Sequence, residues 1–498
     1  MSAARIGQEP AETTDLLAMV GSSLDLVGAP FTLPRSRILV LAVSRGDAAP
    51  VTELQVSRAE YERPLDECVV FETLSMATAD GVVLPVTAVL PHAIEFGNGA
   101  ATLTFAGPHA LSVGAHGAAV ELRLTSAANE ARTIGLDGDD GVEIRIDDDR
   151  RAEIRSSTIH ARLRDQTLAE WTGWMDRCPR VRADLQPMTA FCWWVLGANI
   201  VELPGQGSAR AVVPSKIGYV GLWQWDAYFI AVGLRHGDPA LALEQLDLAF
   251  RFPTADGQLP DVVHDGGVLA SSDDLPPGDR ETLRRHGSSI ADPTRPVPLT
   301  KPPLAAWALR KVLDLLPASA GDSEHARWVD AAWETVSRSQ DWWFAHSDLD
   351  RDGMPEYGHP YSSGLDDSPI FDGDLPVASP DLGAYLVVQD RELSREFTTR
   401  GDRTRAQRFT DRADATLARL IEMWDEPTAR FLARGAGQPL PSYSAVSLLP
   451  ILTGELPAGI SGALLDALAD PAQFGTPWTV PTVAVGDPDF SPERMWRG

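Results

Sequence analysis

The sequence predicts an α+β multidomain chain in which an antiparallel β-sandwich precedes a ring of paired helices. Three observations predict it: the hydrophobic period changes from two to about 3.6 near residue 160, the 498 residues are too many for one compact domain, and long polar loops separate the later helices. The expected division is residues 1–160 and residues 161–498.

In the first part RILVLAVSR, CVVFETLSMATA, AVELRLTSA and VEIRIDDD alternate apolar and polar residues, and Gly, Asp, Asn and Pro turns separate them. Such strands bury one face each and pair into a sandwich that supports but does not perform chemistry. From 182 to 200 the apolar run MTAFCWWVLGANI is too long for a strand. Further helices are expected at 222–236, 238–252, 302–316, 323–346, 381–398, 403–424, 444–453 and 460–468, about nine in all. Asp238 and Pro239 suit the N-cap and first turn of the third. LAAWALRKVLDLL and TAFCWWVLGANI are apolar round most of their circumference, which predicts burial on all sides and hence an inner and an outer ring. The loops 261–299 and 348–380 are long enough to be functional and should gather at one mouth.

Composition removes several classes. With 43 Lys and Arg against 70 Asp and Glu the net charge is −27, which repels phosphate backbones and anionic lipid, so neither nucleic acid nor membrane is an expected partner. No run of about eighteen apolar residues occurs. The N-terminal twenty residues lack the cationic start and apolar core of a signal peptide. Three scattered cysteines, Cys68, Cys178 and Cys192, imply neither a disulfide framework nor a thiolate metal site. A cytoplasmic protein is expected, and its oligomeric state is unreadable. Fourteen Trp against seven Tyr serve a large core or offer flat faces for sugar rings.

Two segments carry groups suited to chemistry. GLWQWDAYF sets Trp223, Trp225, Asp226 and Phe229 within two turns at a helix start. Stacking aromatics with a hydroxyl-binding carboxylate are what a sugar pocket requires, although a Trp cluster with a helix-start anion has the same pattern. In DLDRDGMPEYGHPYSSGLDDSPIFD, Asp348, Asp350, Asp352 and Gly353 begin like a calcium loop. Glu356 stands at the ninth position, but the twelfth is His359 where an EF-hand needs Glu. A structural calcium on Asp348, Asp350, Asp352, the Met354 carbonyl and Glu356 is the expectation, with a solvated turn as the alternative; no cofactor is required for the chemistry itself. In SSGLDDSP, Asp366 and Asp367 are adjacent, so on an extended chain only one points into a pocket. Glycoside hydrolysis needs a protonated carboxyl at the leaving oxygen and a second carboxylate across the ring.

GLWQWDAYF, TKPPLAAWA, DGMPEYGHPYSSGLDDSPIFD, MWDEPTARF and FGTPWTVPTVAV with RMWRG, read in order from about residue 215, resemble glycoside hydrolase family 63 and the mannosylglycerate and glucosylglycerate hydrolases. The resemblance implies an (α/α)6 barrel of twelve helices, inverting cleavage of an α-glycosidic bond, and Asp366 as general acid. It also implies that Trp223, Trp225, Asp226 and Phe229 bind the sugar of a small carbohydrate substrate. Lys301 and Trp307 would stand in the pocket wall, with Tyr357, His359 and Asp367 also facing substrate. In the family RMWRG leads into further helices and a Glu base, so about nine helices of twelve predict a C-terminally truncated, incomplete barrel, weak or inactive, with Glu493 or Asp489 as poorer substitutes for the base. Alternatives are a trehalase or debranching-type α-glucosidase, a sugar isomerase or epimerase using His264, His286 or His359, and a sugar-binding fragment without catalysis.

Overall fold

The computed structural model describes residues 13–43, 50–61, 63–268, 299–316, 323–478 and 480–498. It falls into two compact units, residues 1–221 with 236–241, and residues 222–235 with 242–498. Most of the loop 261–299, with His286, lies outside the described residues.

The first unit contains two six-stranded antiparallel sheets. One runs Ile38–Ala42, Leu54–Arg58, Val69–Thr78, Val120–Ser126 and Ala131–Leu136, with Val83–Leu84 paired to the third strand. The other runs Ala152–Ser157, Gly141–Ile146, Ala110–Ala115, Ala101–Phe105, Ala93–Phe96 and Val86–Leu90. Along Val120–Ser126 burial alternates as the period-two pattern requires. Strands Ala101–Phe105 and Ala110–Ala115 are instead buried on both faces, because a helix covers them.

Following α1 (Thr13–Gly21), that covering helix is α2 (His160–Met175), absent from the sequence expectation. Its buried Leu163, Thr167, Trp171 and Trp174 fall at helical spacing, and Thr167 Oγ1 donates to the Phe105 carbonyl at 3.1 Å. Helix α3 (Gln186–Ala198) locks onto α2 through two tryptophans stacked at 4.8 Å. Trp174 Nε1 donates to Trp193 O at 2.7 Å and Trp193 Nε1 to Trp174 O at 2.9 Å. Gly197 admits this approach, since a Cβ there would lie 2.5 Å from the Trp174 ring nitrogen. Burial of α3 on all sides is not observed: Met188 and Cys192 are exposed, because α3 buries one stripe only.

His160 sits under the second sheet, with Nδ1 2.9 Å from Ser112 Oγ and Nε2 2.6 Å from Thr102 Oγ1. Burial, then His116 and Arg164, push its imidazole down to about 4. The folded state therefore refuses a proton that the unfolded chain accepts below about 6.5. Stability contributed by neutral His160 is complete above that pH and is lost as pH falls towards 4. Denaturant titrations between pH 7 and 4 should show this fall, and His160→Gln should flatten it.

In the second unit α4 (Gln224–Leu234) follows a two-residue strand, Leu222–Trp223, where the sequence expectation placed helix. Helix α5 (Pro239–Ala249), whose residues to Leu241 belong to the first unit, starts as predicted, with Asp238 Oδ1 accepting from Leu241 N at 3.0 Å. Next come α6 (Ala305–Leu313), α7 (Ser323–His346), α8 (Pro380–Thr399), α9 (Arg403–Ile421) and α10 (Ala458–Ala469). The expected helix 444–453 is two short 3-10 turns, Ala445–Ser447 and Leu449–Thr453, since Pro450 lacks the N–H that an α-helix would use. Helix α8 is buried around most of its circumference. Its polar groups are answered there: Gln389 accepts from Ala306 N and donates to Gln340 Oε1, both at 2.9 Å. Asp390 takes two bonds from Arg412, at 2.8 and 2.7 Å. Each buried polar group left unmatched would cost about 1–3 kcal/mol, so these bonds fix the positions of α6, α7 and α9 against α8.

Candidate active site

The site is built where two short segments meet. Leu222–Trp223 pairs antiparallel with Val262–Val263, Trp223 facing Val262, and Gln224 N donates to Asp261 O at 3.0 Å. This ladder carries Asp226, in the first turn of α4, to the neighbourhood of Asp261 and Lys301. Lys301 is buried, its Nζ 3.1 Å from Asp261 Oδ1, and it also donates to the Tyr361 carbonyl. Asp261, Asp366 and Asp226 all act on its ammonium and hold it charged against the opposing effect of burial.

The Asp366 loop is tied to the same point. His359 Nδ1 accepts from Tyr361 N at 3.0 Å and starts the 3-10 turn Pro360–Ser363. Ser363 Oγ donates to Pro360 O at 2.7 Å and accepts from Leu365 N at 2.9 Å. Gly364 follows with φ +72°, and a Cβ there would lie 2.3 Å from the Trp225 ring. Glycine at this position thus supplies both the left-handed turn and the seat for Trp225, physically joining the two motifs. Asp366 stands just beyond it, with Oδ1 buried.

Burial raises Asp226 to about 6 even though Lys301 opposes the shift, and Asp261 adds to it. The site therefore holds one buried ammonium among three carboxylates, one of which takes up a proton near neutrality. Beside it the rings of Trp225, Phe229 and Trp307 form an edge-to-face row, with centroids 6.1 and 5.5 Å apart. Phe229 is half exposed, so the row offers apolar surface next to carboxylates.

Two residues expected to face substrate do not join this cluster. Tyr357 is fully buried between Trp343 and Phe371, and its hydroxyl donates to Asp381 Oδ2 at 2.9 Å. Asp367 turns to Arg494, which grips it with bonds of 2.8, 2.8 and 3.1 Å, while Arg497 Nε donates to the Asp367 carbonyl at 2.8 Å. The adjacent carboxylates thus serve different partners. They do so from a turn, closed by Ser368 N donating to Leu365 O at 2.9 Å, and not from the extended chain that the sequence suggested. His359 is buried and also lines a cleft of about 720 Å³ with Thr300, Ser362, Glu356 and Trp342. Asp261 escaped the sequence reading because a lone acid in QLPDVV carries no spacing signal; only the pairing of Val262 with Trp223 would have shown it.

The calcium-like loop gathers Asp348, Asp350 and Asp352 with ligand oxygens within 4.8 Å of one another. Glu356 is outside that trio but feels it. Burial first, then Asp350, Asp352 and Asp348, push its carboxyl up to about 7.

Buried acids beside stacking faces and a fixed lysine are groups suited to cleaving sugar bonds, and the family match places the protein among the glycoside hydrolases. Residues 219–498, more than half of the chain, match the family described as mannosylglycerate hydrolase MGH1-like glycoside hydrolase domain, and the chain belongs to that family. This agrees with the family 63 resemblance of its motifs. A glucosylglycerate hydrolase of Mycolicibacterium hassiacum is 24% identical over 364 residues, covering 59% of this chain and 80% of that protein. The mannosylglycerate hydrolase of Thermus thermophilus is 29% identical over 177 residues, 35% of this chain and 40% of that one. In that match the chain spans less than half the length of its relative. The crystal structure of a family 63 mannosylglycerate hydrolase from Thermus thermophilus in complex with Tris aligns at 20% identity with a TM-score of 0.46, over 56% of this chain and 78% of that one. No helix among the described residues is long and apolar enough to cross a membrane.

Proposed function

We propose that the protein hydrolyses an α-glycoside of the glucosylglycerate or mannosylglycerate type with inversion, Asp366 giving its proton to the leaving oxygen. The observation that carries this reading is the convergence of Asp366, Asp226 and Asp261 on buried Lys301 beside the Trp225, Phe229 and Trp307 row. In this account Lys301 pairs with Asp261 at 3.1 Å, Trp223 and Trp225 border the sugar ring, and Asp226 binds hydroxyls. The helices α4 to α10 would belong to an (α/α)6 barrel whose mouth holds these loops. Relatives that act on glycerate glycosides support the substrate class. A histidine-based isomerase is less well supported, because His264 and His359 already accept backbone amides, from Gly266 at 3.2 Å and Tyr361 at 3.0 Å. Assay on α-glucosylglycerate, α-mannosylglycerate, trehalose and an aryl α-glucoside tests the reading. Release of free sugar from a glycerate glycoside is expected, and binding without release from any of the four would overturn it.

We further propose that Asp348, Asp350 and Asp352 hold a structural calcium with Glu356 completing the shell. The donor set suits a hard cation, and Asp348, Asp350 and Asp352 bring their oxygens within 4.8 Å of one another beside Glu356, whose carboxyl burial raises first and these acids second. Calcium should raise the Tm, by about 2.7 kcal/mol of stabilisation at about a hundredfold excess over Kd, and Asp350→Asn should remove the effect. A Tm indifferent to calcium and to chelator would refute the site.

A further inference from the structure

Asp366 and Asp367 are the two central residues of the turn that Ser368 N closes on Leu365 O. The two carboxyls are adjacent and chemically alike, so a turn that loosened could offer either of them to Lys301. The structure gives them different holders. Asp366 acts on the Lys301 ammonium, whereas Asp367 is held by the segment 491–498.

Arg494 takes Asp367 by its carboxylate. Arg497, only 4% exposed, spans more of the loop. Its Nε donates to the Asp367 carbonyl at 2.8 Å, its Nη1 to Asp372 Oδ2 at 2.9 Å, and its Nη2 to Asp372 Oδ1. One planar guanidinium thus bridges the 3-10 turn Pro369–Phe371 and closes on the backbone one residue from Asp366. Arg497 is itself anchored. Its carbonyl accepts from Ser491 N at 2.8 Å, and Gly498 O accepts from Thr482 N at 2.8 Å and Thr482 Oγ1 at 2.9 Å. Between them Trp496 packs against the core cluster that contains Leu365 and Ile370.

A guanidinium fork fixes orientation as well as distance, and a reacting group displaced by about 1 Å can lose about 10²-fold in rate. We propose that Arg497 is a positioning residue of the hydrolysis, keeping Asp367 turned away so that Asp366 alone presents its carboxyl to the leaving oxygen. The inference rests on the reading of Asp366 as general acid. Arg494 is the weaker half of the brace, its side chain 55% exposed against 4%.

Hydrogen exchange and steady-state kinetics on the full chain test it. In Arg497→Met the amides of 365–372 should exchange roughly tenfold faster or more, with those of α8 unchanged. On a glycerate glycoside kcat should fall about 10- to 10²-fold at nearly constant KM. Turnover of an aryl α-glucoside with an acidic leaving group should fall far less, because that substrate does not need the proton. Arg497→Lys keeps the charge but not the fork and should recover only part of the loss. In an Asp366→Asn background Arg497→Met should cost nothing further. Asp372→Asn, at a partner 59% exposed, should give the same selective loss on a smaller scale and serves if Arg497→Met does not fold. Equal loss on both substrates, an added loss in the Asp366→Asn background, or unchanged exchange at 365–372 would overturn the proposal. Full activity in Arg497→Met beside a loss in Asp366→Asn would overturn the proposal alone, whereas full activity in Asp366→Asn would overturn the acid assignment and the proposal with it.

Discussion

Replacing Asp366 with Asn is expected to lower hydrolysis of a glycerate glycoside by about 10²- to 10⁴-fold, the usual contribution of the general acid we propose it to be, with little change in Tm. The amide keeps the shape of the side chain but has no proton to give. Lys301 would retain Asp261 and Asp226 as counter-charges, so the cluster should hold. The loss should depend on the leaving group. A glycoside with an acidic aryl alcohol departs without much protonation, and its turnover should fall far less in the variant. Equal loss on both substrates would assign Asp366 to positioning, and unchanged turnover would remove it from the mechanism.

The second large effect falls on Lys301. Lys301→Met leaves Asp261, Asp226 and Asp366 together without the cation they share, and breaking a buried pair on one side costs about 3–5 kcal/mol. Lys301 and Asp261 side chains are only 6% and 11% exposed, so solvent does little to screen the loss. Lys301 also opposes the rise of Asp226, which already stands at about 6; without it that carboxyl moves higher and stays protonated at neutral pH. The variant should unfold at lower denaturant, most severely near pH 7 and less near pH 4, where protonated carboxylates no longer need a cation. Equilibrium unfolding at both pH values checks the sign.

Much of this was legible in the sequence because two motifs carry their own geometry. GLWQWDAYF opens a helix with Asp226 in the first turn, and the glycine of SSGLDD meets Trp225, so the two halves of the site specify each other. The Trp abundance was less informative. Trp171, Trp174, Trp193, Trp194, Trp333 and Trp343 are core residues, and only a few indoles reach the site. Helix α2 has helical spacing but is largely polar, because it buries a single stripe over one sheet. Asp261, Tyr357 and the grip of Arg494 on Asp367 depend on contacts between residues far apart in sequence, which local pattern does not encode.

The central claim, acid-assisted inversion at the Asp366 site, is tested most directly by following the anomeric proton of the released sugar by NMR in the first moments of α-glycoside hydrolysis. The account predicts that the β-anomer appears first and then mutarotates. Initial release of the α-anomer would mean retention through a covalent intermediate and would contradict it.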